Sequence, residues 1–238
     1  MKKEIFADLY TEEGENLPEI PWNTYPRPQM KRDGFVILDK NWKLNGHSIQ
    51  VPFPPQSLLS GYKHSVGSHL NYETTFEIPK DFDKERILLH FGAVDQIAEV
   101  WVNNQCVGKH EGGYLPFSFD ITEQVVREKE NKIVVKVTDT LSKEYPYGKQ
   151  CKKRGGMWYT PVSGIWQSVW MENVPASYIE KVIMKPDLTG VDVEVIGAGI
   201  ERFEAKVTLS NGEIYVKTFE DCKGRIQIAD YVGADGST

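Results

Sequence analysis

Short runs of β-branched and aromatic residues recur along this chain at intervals of roughly ten to fifteen residues. Glycine, proline, asparagine and aspartate separate the runs, and within several runs apolar and polar residues alternate. A period of two is typical of strands that bury one face, so the pattern predicts an all-β, antiparallel sandwich. The clearest runs before residue 140 are residues 74–78, 87–91, 98–102, 118–121 and 133–137.

The run NKIVVKV shows the alternation well. Because successive side chains of a strand point to opposite faces, Ile133, Val135 and Val137 are predicted to face the core. One short helix is expected at residues 121–130, where Thr122 is a candidate N-cap before a charged stretch.

With 238 residues, 40% of them hydrophobic, the chain is long enough to bury a large core. A net charge of -6 and a pI near 5.5 argue against nucleic-acid binding, which needs a concentrated basic face. The basic run at residues 149–154 (KQCKKR) is interpreted as a solvated loop. The chain lacks a stretch of about 18 apolar residues, so no membrane partner is expected.

The three cysteines, Cys106, Cys151 and Cys222, are far apart and fit no metal-ligand spacing. Free thiols are expected, with a pair between the first two left open, and the sequence predicts no cofactor. At the N-terminus, Glu4 and Asp8 stand where a signal peptide needs an apolar run. A cytoplasmic location is therefore expected, and the alternative is an exported protein whose signal is missing from this sequence.

Two changes in pattern divide the chain. Residues 17–29 (LPEIPWNTYPRPQ) contain four prolines, so the N-terminal part is predicted to form an extended strap over the surface. A second boundary is expected near residues 174–177 (VPAS), after which a fresh set of alternating strands begins. The predicted domains are residues 1–29, 30–176 and 177–238.

The long segment at residues 139–160 (DTLSKEYPYGKQCKKRGGMWYT) lacks periodicity and exceeds ordinary sandwich connections in length. Long loops on rigid sandwiches are often functional, so this loop is the best candidate for contact with a substrate. Trp158 and Tyr159 are candidates for stacking on a pyranose ring, or for packing the loop against a neighbouring domain. Asp139 opens the loop, where aspartate is also a common turn residue.

Residues 97–122 (IAEVWVNNQCVGKHEGGYLPFSFDIT) form the first of two motifs. Asn103 and Asn104 fit a tight hairpin turn because asparagine tolerates a positive φ. The paired glycines permit tight backbone geometry, and the following FSFDI predicts a strand.

Residues 155–172 (GGMWYTPVSGIWQSVWME) form the second motif. Gly164 is expected at a turn before a single closing strand, on which Trp166 and Trp170 share one face. Two tryptophans on one face imply a large buried contact.

Together the two motifs resemble the sugar-binding domain that opens glycosidases of the β-galactosidase and β-glucuronidase type, glycoside hydrolase family 2. YPRPQ at residues 25–29 is similar to an arm that precedes this domain in the family. The resemblance implies a jelly-roll, galactose-binding-like sandwich at residues 30–176, followed by an immunoglobulin-like sandwich. About 60 residues remain for the latter, which needs about 100, so a partial domain with an open sheet edge is expected.

The resemblance also implies function. The family's two catalytic carboxylates belong to a barrel domain that would follow this sequence, so no catalytic residue is expected here. The chain would be the non-catalytic sugar-binding portion of a retaining β-glycosidase, supporting the barrel and contributing a loop to its substrate site. A carbohydrate and that catalytic barrel are the expected partners.

Specific residues follow from the same resemblance. In β-galactosidase members an acidic residue after the corresponding strand helps to hold the sugar, in some cases through a monovalent cation. Asp139 matches that position and favours a galactoside, since β-glucuronidase members tend to have asparagine there. Tyr147 stands where a related loop, PRGKQ, has arginine, which puts recognition of a carboxylate in doubt. The predicted substrate-binding residues are Asp139, Tyr147, Trp158 and Tyr159; whether an ion binds beside Asp139 is open.

Two alternatives remain at the level of sequence. A freestanding carbohydrate-binding module would bind sugar through aromatic residues of the jelly roll. A scaffold domain would use the face of Trp166 and Trp170 as a subunit interface and would form homo-oligomers.

Overall fold

The computed structural model describes residues 10–152 and 155–228. The chain divides into two compact units at the peptide between Asn173 and Val174. The all-β fold class is confirmed, whereas the division at residues 29 and 176 stays a prediction. The predictions about the extreme N-terminus and the end of the basic run lie outside the described residues.

The first unit contains a short helix, α1 (Glu12–Glu15), one turn of 3-10 helix (Leu58–Ser60) and, among the described residues, twelve strands, the last of which ends one residue beyond the boundary. The strands are β1 (Phe35–Ile37), β2 (Trp42–Leu44), β3 (His47–Ile49), β4 (His69–Phe76), β5 (Arg86–Phe91), β6 (Val94–Asp95), β7 (Ile97–Val102), β8 (Gln105–Glu111), β9 (Phe117–Asp120), β10 (Asn131–Thr138), β11 (Gly164–Ile165) and β12 (Val169–Val174).

Two main sheets form the sandwich of the first unit. One has the strand order β3-β2-β4-β10-β7-β8, the other β1-β12-β5-β9, and β11 pairs with β6 in a small third sheet. Strand β10 lies between β4 and β7, antiparallel to both. Its Ile133, Val135 and Val137 are buried in the core, which confirms the predicted alternation.

The hairpin between β7 and β8 turns at two asparagines, as predicted. Asn103 has a φ of 47° and Asn104 a φ of 67°. The side-chain amide of Asn103 donates to Gln124 O (2.8 Å) and to Asn131 Oδ1 (2.7 Å), which ties the turn to neighbouring loops. Both residues are therefore structural.

The predicted helix at residues 121–130 is wrong, because this segment forms turns. The hydroxyl of Thr122 accepts a hydrogen bond from Ile87 N (2.9 Å) and donates to Asp120 Oδ1 (2.5 Å). Since that oxygen already joins neighbouring strands, it is not a helix cap.

The predicted single closing strand is divided in two. Gly164, with a φ of 80°, begins β11, and β12 starts at Val169 in a different sheet. A Cβ at Gly164 would collide with the hydroxyl of Tyr72, so glycine is required there. The strand is divided because its partner changes: Ile165 pairs with Val94 of β6, whereas Trp170 pairs with Ile37 of β1.

As far as residue 228, the second unit has two smaller sheets, of order β13-β14-β17 and β15-β16. Five buried hydrophobic residues form its core among the described residues. Its strands are β13 (Tyr178–Asp187), β14 (Gly190–Ala198), β15 (Phe203–Thr208), β16 (Ile214–Phe219) and β17 (Lys223–Gln227).

Candidate functional site

Asp139 follows β10 directly and borders a surface cavity of about 380 Å³. Its backbone N–H donates to Ser68 O (2.8 Å), and its Oδ1 accepts from Leu141 N (2.7 Å). The residue therefore serves as a turn residue and also presents a half-buried carboxylate. Burial raises the pKa of Asp139 above its ordinary value.

Polar groups surround this carboxylate. Lys152 lines the same cavity, and its charge favours the ionised form of Asp139. Across the cavity, Gln56 Nε2 donates to Ser163 Oγ (2.8 Å), and Ser163 N donates to Gln56 Oε1 (3.2 Å). An acid, a cation, an amide and a hydroxyl thus share one small cavity, and each of these groups can form hydrogen bonds with a hydroxyl group.

A second acid, Asp95 on β6, lies near Asp139 and was missed by the sequence analysis. It is only 5% exposed, and burial together with the charge of Asp139 raises its pKa to about 7. Within the part of the chain that the structure describes, its carboxylate has no hydrogen-bond partner. A Cβ at Gly113 would collide with this carboxylate, so the second glycine of the GGY motif makes room for Asp95.

The long loop does not bring the predicted site residues together. Among the described residues, neither Tyr147, Trp158 nor Tyr159 lines the Asp139 cavity. The side chains of Trp158 and Tyr159 are 45% and 65% exposed, and Tyr147 is half-buried. The loop is instead organised by Gln150, whose Oε1 accepts from Val162 N (2.7 Å).

The most strongly connected polar group of the first unit is Glu172 on β12, which is fully buried. Arg27 Nη2 donates to both of its oxygens (2.7 and 2.8 Å), and Arg32 Nε donates to Oε2 (3.2 Å). The hydroxyl of Tyr25 (2.8 Å) and the indole of Trp170 (2.9 Å) also donate to Oε1. The proline-rich arm is therefore fixed to the sandwich by this carboxylate.

Electrostatics make Glu172 an anchor and not an acid for catalysis. Burial opposes its ionisation, but polar contacts from His90, Trp170 and Arg27 outweigh burial and hold the pKa of Glu172 well below its ordinary value. Burial lowers the pKa of His90, whose ring stacks on Trp170 at 4.9 Å between centroids. The carboxylate is saturated with donors and enclosed, so it has no access to a substrate.

Two further features are absent from the described residues. No three histidine, cysteine, aspartate or glutamate side chains there are grouped in a way that would hold a metal ion. No helix in that part of the chain has the length and apolar character needed to cross a membrane.

The sequence-family model described as 'Glycosyl hydrolases family 2, sugar binding domain' matches residues 36–175. A β-galactosidase of Thermoanaerobacter pseudethanolicus is 31% identical over 144 residues, which cover 60% of this chain and 18% of that protein. A β-glucuronidase of Bacteroides fragilis is 31% identical over 117 residues, which cover 44% of this chain and 16% of that protein.

Among solved structures, the β-glucuronidase from Ruminococcus gnavus in complex with D-glucuronic acid has a TM-score of 0.64 and 20% sequence identity. The match covers 88% of this chain and 42% of that chain. This likeness supports the fold alone. The chain thus matches less than half the length of these relatives.

Proposed function

The chain belongs to glycosyl hydrolases family 2 and contains the sugar-binding domain of that family, and we propose that it is the non-catalytic N-terminal portion of a retaining β-glycosidase. The catalytic carboxylates belong, in this proposal, to a separate barrel domain. The chain supports that barrel and supplies Asp139 to the rim of the substrate pocket. The parent enzyme hydrolyses a terminal β-glycoside.

The position of Asp139 carries this proposal. Its Oδ1 is held by Leu141 N, so the carboxylate is oriented before a ligand arrives. Gln56 and Ser163 add an amide and a hydroxyl on the other side of the cavity. A carboxylate that accepts hydrogen bonds from two sugar hydroxyls fixes the orientation of a sugar ring.

Charge supports a neutral hexoside such as a galactoside over a glucuronide. An ionised Asp139 repels the carboxylate of a uronic acid, and Tyr147 supplies no cation to offset that repulsion. Lys152 is one nearby cation, and its charge is partly matched by Asp139 itself. A β-galactosidase-like parent is therefore the form of the proposal that the cavity favours.

The test is a nuclear magnetic resonance titration of the 238-residue chain with galactose and, separately, glucuronate. Galactose is expected to shift the Leu141 amide, because that N–H is bonded to Asp139, and Asp139→Ala should abolish the shift. Asp83→Ala, which removes an exposed loop carboxylate, is the matched control and should leave the shift intact. The chain is expected to leave nitrophenyl β-galactoside unhydrolysed.

Three outcomes would contradict the proposal. They are hydrolysis by this chain alone, a galactose response that survives Asp139→Ala, and a stronger response to glucuronate than to galactose. The first would place catalysis in this chain, the second would move the sugar away from Asp139, and the third would favour a glucuronide.

A further inference from the structure

A groove of about 710 Å³ lies between the proline-rich arm and the sandwich of the first unit. We call it the arm groove. Residues 22 and 24–29 form one wall, and residues 114, 116 and 166–168 contribute to the other. Its volume falls in the range of about 300–1,000 Å³ that is typical of small-molecule sites. It shares no lining residue with the Asp139 cavity.

Exposed aromatic rings line the arm groove. The side chain of Trp22 is 54% exposed, although its ring packs against Phe53 at 5.5 Å. Tyr114 is 43% exposed, and its ring meets Trp166 edge-on at 6.0 Å. These rings are fixed by neighbours and still present a surface to solvent, as a stacking platform requires.

Several aromatic donors of the groove are already in use. The indole of Trp166 donates to Gly113 O (2.8 Å), and the donors of Trp170 and Tyr25 are bonded to Glu172. Aromatic grooves that hold proline-rich peptides use such donors to bind peptide carbonyls. Because these three donors are occupied, they are not available to the carbonyl groups of a peptide.

The remaining polar groups suit hydroxyls. Gln29 and Gln167 line the groove, and in the described part of the chain their side-chain amides have no hydrogen-bond partner. Arg27 is the only charged residue among the described lining residues, and its guanidinium is bound to Glu172. The groove therefore offers ring faces and neutral amides without a free charge.

We propose that the arm groove is a carbohydrate site in its own right, which binds an uncharged oligosaccharide. Trp22 and Tyr114 stack on pyranose rings, because the apolar face of a sugar matches an aromatic ring. Gln29 and Gln167 exchange hydrogen bonds with the hydroxyls, since an amide both donates and accepts. The site does not depend on Asp139.

The test follows the tryptophan indole signals of the ¹⁵N-labelled 238-residue chain during titration with cellotetraose, β-1,4-galactotetraose and tetragalacturonate. One or both neutral tetrasaccharides should shift the indole signals of Trp22 and Trp166. The fully buried Trp42 and the half-buried Trp101 serve as internal references and should not move. Tetragalacturonate should cause no shift, because none of the described residues that line the groove supplies a free cation.

Variants identify the contacts. Trp22→Ala removes an exposed ring, so the fold should persist while Kd rises about tenfold. Trp158→Ala, a matched control with a similarly exposed tryptophan, should leave Kd unchanged, as should Asp139→Ala. The latter variant separates this site from the proposed site at Asp139.

The proposal is overturned if neither neutral tetrasaccharide moves the Trp22 and Trp166 signals, or if Trp158 responds in their place. It is also overturned if Trp22→Ala leaves Kd unchanged, or if tetragalacturonate binds as tightly as the neutral sugars. Loss of binding in Asp139→Ala would assign the response to the other cavity and would equally reject the arm groove.

Discussion

Strands β10 and β13 represent two ways of building a sheet in one chain. In β10, of eight residues, alternate side chains are buried, whereas β13 is longer, with ten residues, and has none that is fully buried. The first unit accordingly has 24 buried residues in its main core, and the second has five, counted over the described residues. Backbone pairing sets the length of a strand, and burial sets how much that strand stabilises the fold.

The two units also differ in their ion pairs. Glu172 of the first unit is fully buried and pairs with the half-buried Arg27, whereas Arg225 of the second unit pairs with Asp187 on the surface. Loss of the buried carboxylate leaves two mostly buried guanidinium groups without this partner, while solvent screens the exposed pair. The same chemistry is thus structural in one unit and of little consequence in the other.

The largest expected effect is that of Glu172→Ala. It leaves Arg27 and Arg32 without their buried carboxylate, so the free energy of unfolding of the first unit should fall by about 3–5 kcal/mol. All six tryptophans precede residue 174, so tryptophan fluorescence during urea unfolding reports the first unit alone.

Asp187→Ala is the matched change in the second unit. Hydrogen exchange of the β13, β14 and β17 amides should remain nearly unchanged in this variant, because the pair that it removes is exposed. Equal losses of stability from the two variants would break the distinction between buried and exposed pairs.

A smaller effect is expected from Asp39→Asn, which tests the buried polar groups that, over the residues the structure describes, occur only in the first unit. Asp39 is fully buried, its Oδ1 accepts from Val169 N (2.7 Å), and burial raises its pKa to about 6 from an ordinary value of 3.8. The stability that protonated Asp39 contributes is complete below about pH 4 and is lost as the pH rises through 6.

The readout is the difference in unfolding free energy between Asp39→Asn and the parent protein at pH 4.5 and pH 7.5. Because the amide does not ionise, the variant should gain about 1–3 kcal/mol relative to the parent between these values. Asp95 and His90 also titrate with shifted pKa values, but both proteins contain them, so their effects cancel. A difference that is constant with pH would show that burial does not perturb Asp39.

The smallest effect concerns two turns. Asn104→Ala and Gly212→Ala each put alanine at a positive φ, of 67° and 88°, at a cost of about 1 kcal/mol. Asn104→Ala should shift the urea midpoint of the first unit only slightly. Gly212→Ala should accelerate hydrogen exchange of β15 and β16 markedly, because the core of the second unit is small. Similar fractional effects in both units would mean that core size does not govern their stability.

Local features of the sequence were sufficient for much of the fold. The alternation of Ile133, Val135 and Val137 and the turn at Asn103 and Asn104 depend on neighbours in sequence, and both predictions are confirmed. The break after Ile165 reflects a change of partner from β6 to β1, two strands that are far away in sequence, so no local pattern indicates it.

The candidate sites were less accessible to prediction. Asp139 could be selected from the sequence because it directly follows an apolar strand. The positions of Trp158 and Tyr159 depend on a loop that is organised by hydrogen bonds between residues distant in sequence. The cluster around Glu172 joins residues up to 147 positions apart. Their residue types are common, so the sequence alone does not indicate that they contact one another. For Asp95 the sequence contains one indirect indication: the second glycine of GGY leaves room for its carboxylate.

The contact between Arg27 and Glu172 has a consequence for biosynthesis. The two residues are 145 positions apart, and β1 likewise pairs with β12 near the other end of the unit. A ribosome releases the arm first, yet the carboxylate that fixes the arm emerges almost a whole domain later. The nascent chain must therefore keep its apolar strands from aggregating until translation has passed residue 172. Contacts between residues so far apart in sequence also make folding of the first unit slow.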